Sequence, residues 1–137
     1  MMLSVVIPTR DKRPLLERTL AALRAQDIGG RPWEIVVVDD GSTDDTAAAL
    51  RRLAGQSGPP LRVVSPPRNV GRAAARNLGW QAATGQWVLF LDDDIVAPPG
   101  LLAAHLAVLA GDPRRGTIGP AVTDASIVDA PHFHYLD

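Results

Sequence analysis

An apolar run that ends in three consecutive acids says more about the fold than any other part of this sequence. Residues 87–91, Trp-Val-Leu-Phe-Leu, lead directly into Asp92, Asp93 and Asp94. A continuous apolar run of this length predicts a strand buried on both faces, as in a parallel sheet. Such a strand delivers the residues after it to the carboxyl edge of the sheet, where open α/β folds bind ligands. Adjacent carboxylates repel one another unless they reach solvent or a cation. The run therefore favours either a divalent-metal site that holds a phosphorylated ligand or an acidic loop with a helix cap.

Further strands and helices are predicted on both sides of this run. The other strands are short apolar stretches bounded by turn residues, at residues 3–7 (closed by Pro8), 34–38, 61–65 and 117–122. The helices have apolar residues at helical spacing and start signals in front of them. The first helix is predicted to start at Asp11 and Pro14 and to end at Gly29-Gly30, with Leu16, Leu20 and Leu23 inward. The second follows a capping box at 42–45, and the third spans about 72–83. The fourth starts after Pro98-Pro99 and has Leu102, Leu106 and Leu109 on one face.

The alternation of strands and helices predicts the fold class. It implies an α/β protein of the Rossmann-like αβα type, with a mostly parallel central sheet and helices on both faces. A length of 137 residues suits a single domain. The alternation on which this prediction rests extends to about residue 111, and residues 112–137 add one short predicted strand and an irregular tail.

Composition excludes several classes of function. The net charge is −1, so no basic field attracts nucleic acid. Cys is absent, which excludes disulfides and thiolate metal sites. No apolar stretch approaches the length of a membrane span, and no signal peptide is recognisable. We therefore expect a cytoplasmic protein.

Polar residues follow the predicted strands at three places, which a parallel sheet would bring to one edge. They are Pro8-Thr9-Arg10-Asp11, Asp39-Asp40 and Asp92-Asp93-Asp94. A carboxylate before Gly41 can organise a turn, or it can accept the ring N–H of a nucleotide base. We interpret Asp44 and Asp45 as acids favoured at the start of a helix.

Other candidates admit two interpretations. Arg72 and Arg76 lie on an Ala-rich helix, and they either face solvent or approach a diphosphate. His105 is expected to be a surface or packing residue. His132 and His134 would share a face of a strand and could bind a metal.

Four blocks of sequence, taken in order, resemble a known family. They are Val-Val-Ile-Pro-Thr-Arg-Asp, Ile-Val-Val-Val-Asp-Asp-Gly-Ser-Thr-Asp-Asp-Thr, Asn-Val-Gly-Arg-Ala-Ala-Ala-Arg-Asn-Leu-Gly and Phe-Leu-Asp-Asp-Asp. The pattern is similar to that of the family 2 glycosyltransferases, inverting enzymes with the GT-A fold that use nucleotide-sugar donors. The resemblance covers about residues 3–109.

The resemblance implies a role for each matching residue. Pro8, Thr9 and Arg10 would line the nucleotide, although Arg10 departs from the aromatic residue that is frequent there. Asp39 would contact the base, and Asp40 would support the loop along the nucleotide or the ribose. Gly71, Arg72 and Arg76 would approach the base and phosphates. Asp94 would be the main ligand of Mg²⁺ or Mn²⁺, and Asp92 or Asp93 would reach the ribose or the metal's water shell.

The resemblance also implies the partners and what this chain lacks. The donor would be a sugar linked to UDP, GDP or dTDP, and the acceptor a glycan, a lipid or a small molecule, as in bacterial cell-wall or polysaccharide synthesis. Residues 112–137 would begin an incomplete acceptor side, and the general base is expected beyond residue 137, so the chain itself would be inactive. The full-length protein could work at the inner face of the membrane, and a homo-oligomer is a further expectation.

Two alternatives stay open at this point. The first is a non-catalytic nucleotide-binding or interaction module. The second is a phosphatase of the haloacid-dehalogenase type, in which the first acid after the strand, Asp92, would be a nucleophile.

Overall fold

The computed structural model describes residues 2–112 together with residues 116 and 117. Strands and helices alternate throughout this part of the chain, as the sequence predicts. The strands are β1 (Leu3–Thr9), β2 (Trp33–Asp39), β3 (Leu61–Val64) and β4 (Trp87–Phe90). The helices are α1 (Arg13–Arg24), α2 (Thr46–Ala54), α3 (Arg72–Ala82) and α4 (Leu101–Gly111).

The four strands form one sheet, in which every pair is parallel and the order is β3-β2-β1-β4. The chain adds β2 and β3 on one side of β1, and it then returns to place β4 on the other side. The strand order therefore reverses between β1 and β4. In open α/β sheets, ligands bind outside the carboxyl ends of the strands at such a reversal.

The core lies on both faces of β1 and β2. Every residue of β1 is buried, as is every residue of β2 after Trp33. Because successive side chains of a strand point to opposite faces, complete burial requires a covering layer on each face. The predicted leucines of α1 are buried at its inner face, and so are those of α4: Leu16, Leu20, Leu23, Leu102, Leu106 and Leu109.

Helix α3 approaches the sheet closely because it presents small residues to the strands. Ala75 and Gly79 are its buried positions. A Cβ atom added at Gly79 would come within 3.0 Å of Val6 Cγ1 and 3.1 Å from Val38 Cγ2. The packing interpretation of this Ala-rich helix is therefore correct for its inner face.

Strand β4 differs from the prediction of a strand buried on both faces. It spans only Trp87–Phe90, its first three residues are half-buried, and Phe90 is 46% exposed. The physical reason is its position, because β4 pairs only with β1 within the described residues and lies at an edge of the sheet. Apolar composition predicted the strand correctly, but it carried no information on strand order.

Strand β1 continues through Pro8, where the sequence predicted its end. Residues of β1 hydrogen-bond alternately to the two sides: the Leu91 N–H donates to Val6 O, while the Asp40 N–H donates to Thr9 O. The nitrogen of Pro8 therefore faces the β4 side, where the strand pairing has already ended at Val6. A proline that faces no partner strand costs no ladder hydrogen bond.

Two predicted helix starts are wrong in detail. Helix α1 begins after Lys12, with no side-chain cap, and ends at Arg24, before the glycine pair. Helix α2 follows Asp45, which makes no capping hydrogen bond. The carboxylate of Asp44 instead accepts hydrogen bonds from the main-chain N–H (2.9 Å) and hydroxyl of Thr46. Those hydrogen bonds, led by the one from the Thr46 side chain, lower the pKa of Asp44.

The backbone divides into two compact units, Met1–Ala104 and His105–Asp137. The predicted boundary near residue 111, between a nucleotide-binding part and the start of the acceptor side, stays a prediction. No helix in the described ranges is both long enough and apolar enough to cross a membrane. The strand predicted at 117–122 falls, from residue 118 onwards, outside the described residues.

Candidate functional site

Three strand ends meet at the carboxyl edge of the sheet, as the polar residues after the strands predict. Thr9 and Asp39 end β1 and β2 and lie opposite each other in the register. The Thr9 hydroxyl donates to Asp93 Oδ2 at 2.8 Å, which joins the end of β1 to the acids that follow β4. The contact between Thr9 and Asp93 lies where the strand order reverses, and Asp39 lies on the other side of Thr9.

Asp93 is the buried member of the three acids. Besides Thr9, its carboxylate lies 3.6 Å from Lys12 Nζ, and its main-chain carbonyl accepts the Thr19 hydroxyl at 2.9 Å. Burial raises the pKa of Asp93, against the opposing effects of the Thr9 hydrogen bond and the Lys12 charge. Asp93 thus fixes the acidic loop to the start of α1 while its neighbours stay accessible.

Asp92 and Asp94 are only half-buried, on either side of Asp93. Arg76 donates from Nη2 to Asp92 Oδ1 at 2.9 Å, so α3 brings one of the two predicted arginines to the acidic loop. Arg72, the first residue of α3, is exposed. A guanidinium beside exposed carboxylates can exchange partners with a diphosphate, because it donates equally well to phosphate oxygens.

Asp40 organises the loop before α3. Its carboxylate accepts the main-chain N–H groups of Val70 (2.7 Å) and Gly71 (2.9 Å) and the Asn69 side-chain amide (3.0 Å). Gly71 has φ +90°, which glycine adopts without strain. Asp40 thus holds the loop before α3 and fixes the direction in which α3 starts, while its expected role in supporting the nucleotide loop or the ribose stays a prediction.

Asp39 is buried at the end of β2 and faces the turn that follows. Its Oδ1 accepts the Ser42 N–H at 3.1 Å. This contact is the turn-organising one that a carboxylate before Gly41 offers. The second carboxylate oxygen has no hydrogen bond among those described for this part of the chain, so it can accept a further N–H group.

The first loop supplies the remaining predicted residues. Pro8 is buried within β1, while Arg10 is exposed just after it. The Arg10 guanidinium lies 3.8 Å from Asp11 Oδ2. Arg10 therefore extends into solvent at the same edge as Thr9.

Sequence reasoning assigned no site role to several residues that build this edge. They are Lys12, Thr19 and Asn69, each in contact with a loop of the edge. Asn69 stands in the quoted Asn-Val-Gly block, which was a usable signal. The roles of Lys12 and Thr19 depend on contacts far apart in sequence, for which a single sequence gives no sign.

The accessible acids after β4 could hold a metal ion only if a bound ligand supplied further oxygen donors. Among residues 2–112 and 116–117, no three His, Cys, Asp or Glu side chains are grouped to hold a metal ion. Asp92 and Asp94 nevertheless offer the hard oxygen donors that Mg²⁺ and Mn²⁺ prefer. A Mg²⁺ ion characteristically takes one or two carboxylates and completes its shell with substrate phosphates and water.

The histidine predictions fall on α4 and on the residues after it. His105 Nδ1 is hydrogen-bonded to Thr117 Oγ1 at 2.6 Å, which agrees with the expected packing role. His132 and His134 lie outside the described residues.

A family model for "Glycosyl transferase family 2" matches residues 4–131. The chain belongs to this family. The match therefore confirms the resemblance drawn from the four sequence blocks, and it leaves the phosphatase alternative without support.

Individual relatives and solved structures agree with the family. The undecaprenyl-phosphate 4-deoxy-4-formamido-L-arabinose transferase of Pectobacterium carotovorum is 42% identical over 100 residues, which cover 70% of this chain and 30% of that protein. A mannosyltransferase from Pyrobaculum calidifontis, solved with GDP-Man and Mn²⁺, is 35% identical with a TM-score of 0.72, over 79% of this chain and 32% of that one. Residues 1–349 of S. aureus TarS, solved with UDP-GlcNAc, are 28% identical with a TM-score of 0.75, over 90% and 37%.

The chain thus spans about a third or less of the length of these relatives. The chain has a four-stranded parallel sheet, and the structural similarity confirms a GT-A-type α/β fold.

Proposed function

We propose that this chain forms the donor-nucleotide site of an inverting, metal-dependent family 2 glycosyltransferase. The observation that carries the proposal is the meeting of Thr9, Asp39 and the acidic loop at the reversal of the strand order. Support comes from the family match and from the similar structures, one with UDP-GlcNAc and one with GDP-Man and Mn²⁺.

Each residue has a chemical task in the proposed site. Asp39 accepts a ring N–H of the base through its free carboxylate oxygen, which favours bases that present an N–H there. Pro8, Thr9 and Arg10 line the nucleotide, Asp40 holds the loop that ends at Gly71, and Asp93 holds the acidic loop in place.

The phosphates meet the two arginines and the accessible acids. Arg72 and Arg76 bind the diphosphate, and Arg76 exchanges its contact with Asp92 for a phosphate oxygen. Asp94, assisted by Asp92, would hold Mg²⁺ or Mn²⁺. When bound, this cation offsets the charge that develops on the leaving nucleoside diphosphate.

Inverting transfer also requires a base that deprotonates the acceptor hydroxyl. No general base is assigned among the described residues. We infer that the chain by itself binds the donor nucleotide and transfers little or no sugar. A non-catalytic module would show the same binding, and only transfer by the longer protein separates the two.

The proposal extends to the acceptor class and the location. The name of the Pectobacterium relative pairs a sugar with a polyprenyl phosphate. A lipid acceptor of this chemical class would bring the longer protein to the inner face of a membrane. A homo-oligomer stays a prediction.

The test is calorimetric titration of the chain with UDP, GDP and dTDP, each with and without Mn²⁺. We expect one of them to bind, Mn²⁺ to tighten its binding, and Asp94→Ala to abolish the effect of Mn²⁺. The matched control is Asp27→Ala, because Asp27 is an exposed acid that only accepts the Gly29 N–H in a turn after α1. A folded chain that binds none of the three nucleotides, or equal Mn²⁺ effects in wild type and Asp94→Ala, would contradict the proposal.

A further inference from the structure

Asp11 has an unusual backbone conformation at the carboxyl edge of the sheet. Its φ is +52°, the sole positive value at a residue other than glycine in the described part of the chain. This conformation costs about 1 kcal/mol or more for a residue with a Cβ, although Asp and Asn tolerate it best. Such a conformation persists where surrounding contacts enforce it, and it is a reason to look for a function.

The contacts that enforce it join the loop after β1 to the loop after β2. The Asp11 N–H donates to Ser42 Oγ at 3.0 Å. In return, Asp11 Oδ1 accepts the main-chain N–H groups of Thr43 at 2.6 Å and Asp44 at 3.2 Å. The second loop is thus held by a reciprocal set of hydrogen bonds to one residue of the first.

These hydrogen bonds extend to Asp39, the residue that the proposed function assigns to the nucleotide base. Ser42 accepts from Asp11 through its hydroxyl and donates its own N–H to Asp39 Oδ1. Asp11, Ser42 and Asp39 therefore form a continuous chain of contacts. The orientation of the Asp39 carboxylate depends on where the Ser42 main chain is held.

The other oxygen of Asp11 lies near a residue of its own loop. Asp11 Oδ2 lies 3.8 Å from the Arg10 guanidinium, at 38% and 54% exposure of the two side chains. The ion pair is too exposed to contribute much to stability.

We propose that Asp11 is a positioning residue for nucleotide binding, which clamps the turn Ser42–Asp44 and thereby orients Asp39. This role presupposes the proposed nucleotide site. The left-handed backbone of Asp11 aims its N–H and its carboxylate at the same turn, and the hydrogen bonds repay the conformational cost. Asp11 itself touches no substrate atom.

Three variants separate the carboxylate from the backbone conformation. Asp11→Gly keeps the left-handed backbone without strain and removes the carboxylate. Asp11→Asn keeps an oxygen that can accept from Thr43 and Asp44, and Asn tolerates the same conformation. Ser42→Ala removes the acceptor of the Asp11 N–H but keeps the main-chain bond to Asp39.

The measurements are the affinity of the tightest-binding nucleotide, found by titrating UDP, GDP and dTDP with Mn²⁺, and the hydrogen-exchange rates of the Thr43 and Asp44 amides. For Asp11→Gly we expect an affinity about tenfold weaker and faster exchange of both amides, because one hydrogen bond to a charged group is worth roughly that factor. Asp11→Asn is expected to restore affinity to within about threefold of wild type. Ser42→Ala should weaken binding in the same direction as Asp11→Gly.

The matched control is Asp27→Gly, which removes an exposed carboxylate from a turn after α1, at the opposite end of the sheet. It should leave the affinity unchanged. Asp39→Asn reports on the nucleotide site itself and should weaken binding strongly.

Two failures are distinguishable. If Asp39→Asn loses affinity while folded Asp11→Gly and Ser42→Ala bind as wild type, the role of Asp11 is refuted and the nucleotide site stands. If the folded wild-type chain binds no nucleotide, the site and the role of Asp11 fall together. Should Asp11→Gly unfold, full affinity in Ser42→Ala refutes the role of Asp11, and weakened affinity supports it.

Discussion

Replacement of Gly79 by Ala tests how the fold positions the site. Gly79 lies on the buried face of α3, where an added Cβ would come within 3.0 Å of Val6 Cγ1 and 3.1 Å from Val38 Cγ2. Ordinary van der Waals contact begins at about 3.4 Å. Both valines are fully buried in the two central strands, so they have little room to move. Helix α3 must therefore move away from the sheet.

The magnitude follows from two opposing effects. Overpacking of a well-packed core costs about 1–3 kcal/mol, and two contacts inside van der Waals distance place this site in the upper part of that range, at about 2–3 kcal/mol. Ala in a helix interior gains about 0.8–1 kcal/mol over Gly. We expect a net loss of about 1–2 kcal/mol in the free energy of unfolding, which lowers Tm by about 3–10 °C in a chain of this size. Because α3 carries Arg76, the shift should also loosen its 2.9 Å contact with Asp92 and weaken nucleotide binding.

The assay is thermal and urea denaturation, followed by nucleotide titration at a temperature where the variant is folded. Gly111→Ala is the matched control, because Gly111 ends α4 and a Cβ there would meet no atom within 4 Å. The control should stay within about 0.5 kcal/mol of wild type. A Gly79→Ala protein as stable as wild type would refute the close packing of α3 on the sheet.

Two further predictions concern buried acids. The Glu34 carboxylate accepts hydrogen bonds from the Ser4 hydroxyl and from the N–H and hydroxyl of Thr84. Burial by itself would raise the pKa of Glu34, but these hydrogen bonds outweigh burial and lower the pKa. Its contribution is therefore complete above the unfolded pKa of about 4.3 and is lost as the pH falls through the lower folded value. Glu34→Gln should cost about 2 kcal/mol at pH 7 in urea denaturation and progressively less below about pH 4, and a pH-independent difference would contradict this. Asp40→Ala removes the acceptor of the Val70 and Gly71 N–H groups and should cost about 2–3 kcal/mol with faster exchange of both amides, whereas unchanged exchange would show that the loop does not depend on Asp40.

The elements that could be predicted from the sequence are those whose signal is local. The apolar runs of β1 and β2 and the leucine spacing of α1 and α4 needed no knowledge of neighbours, and the structure confirms them. The shared edge of the sheet followed from parallel pairing alone. The edge position of β4 could not be predicted, because strand order is a property of the whole sheet.

The candidate site was predicted at the level of its loops and less well at the level of single side chains. Asp92, Asp93 and Asp94 are identical in chemistry, and only the contacts with Thr9 and Lys12 distinguish the buried Asp93 from its accessible neighbours. Asp11 was expected to start a helix, yet its carboxylate holds a turn more than thirty residues away. For the acids 92–94 a helix cap was one interpretation, and for Asp11 it was the prediction. In both places the role of the carboxylate is decided by contacts with residues far away in the sequence.

The most direct measurement of the central claim uses Mn²⁺ as a paramagnetic probe in amide-resolved NMR of the chain with saturating nucleotide. The unpaired electrons of Mn²⁺ broaden signals of nearby groups, so the pattern locates the bound ion. We expect nucleotide-dependent broadening centred on residues 92–94 and Thr9, with sharp signals for Gly29 and Gly30 after α1. Broadening centred away from residues 92–94 while the nucleotide is bound would contradict a donor site at the reversal of the strand order.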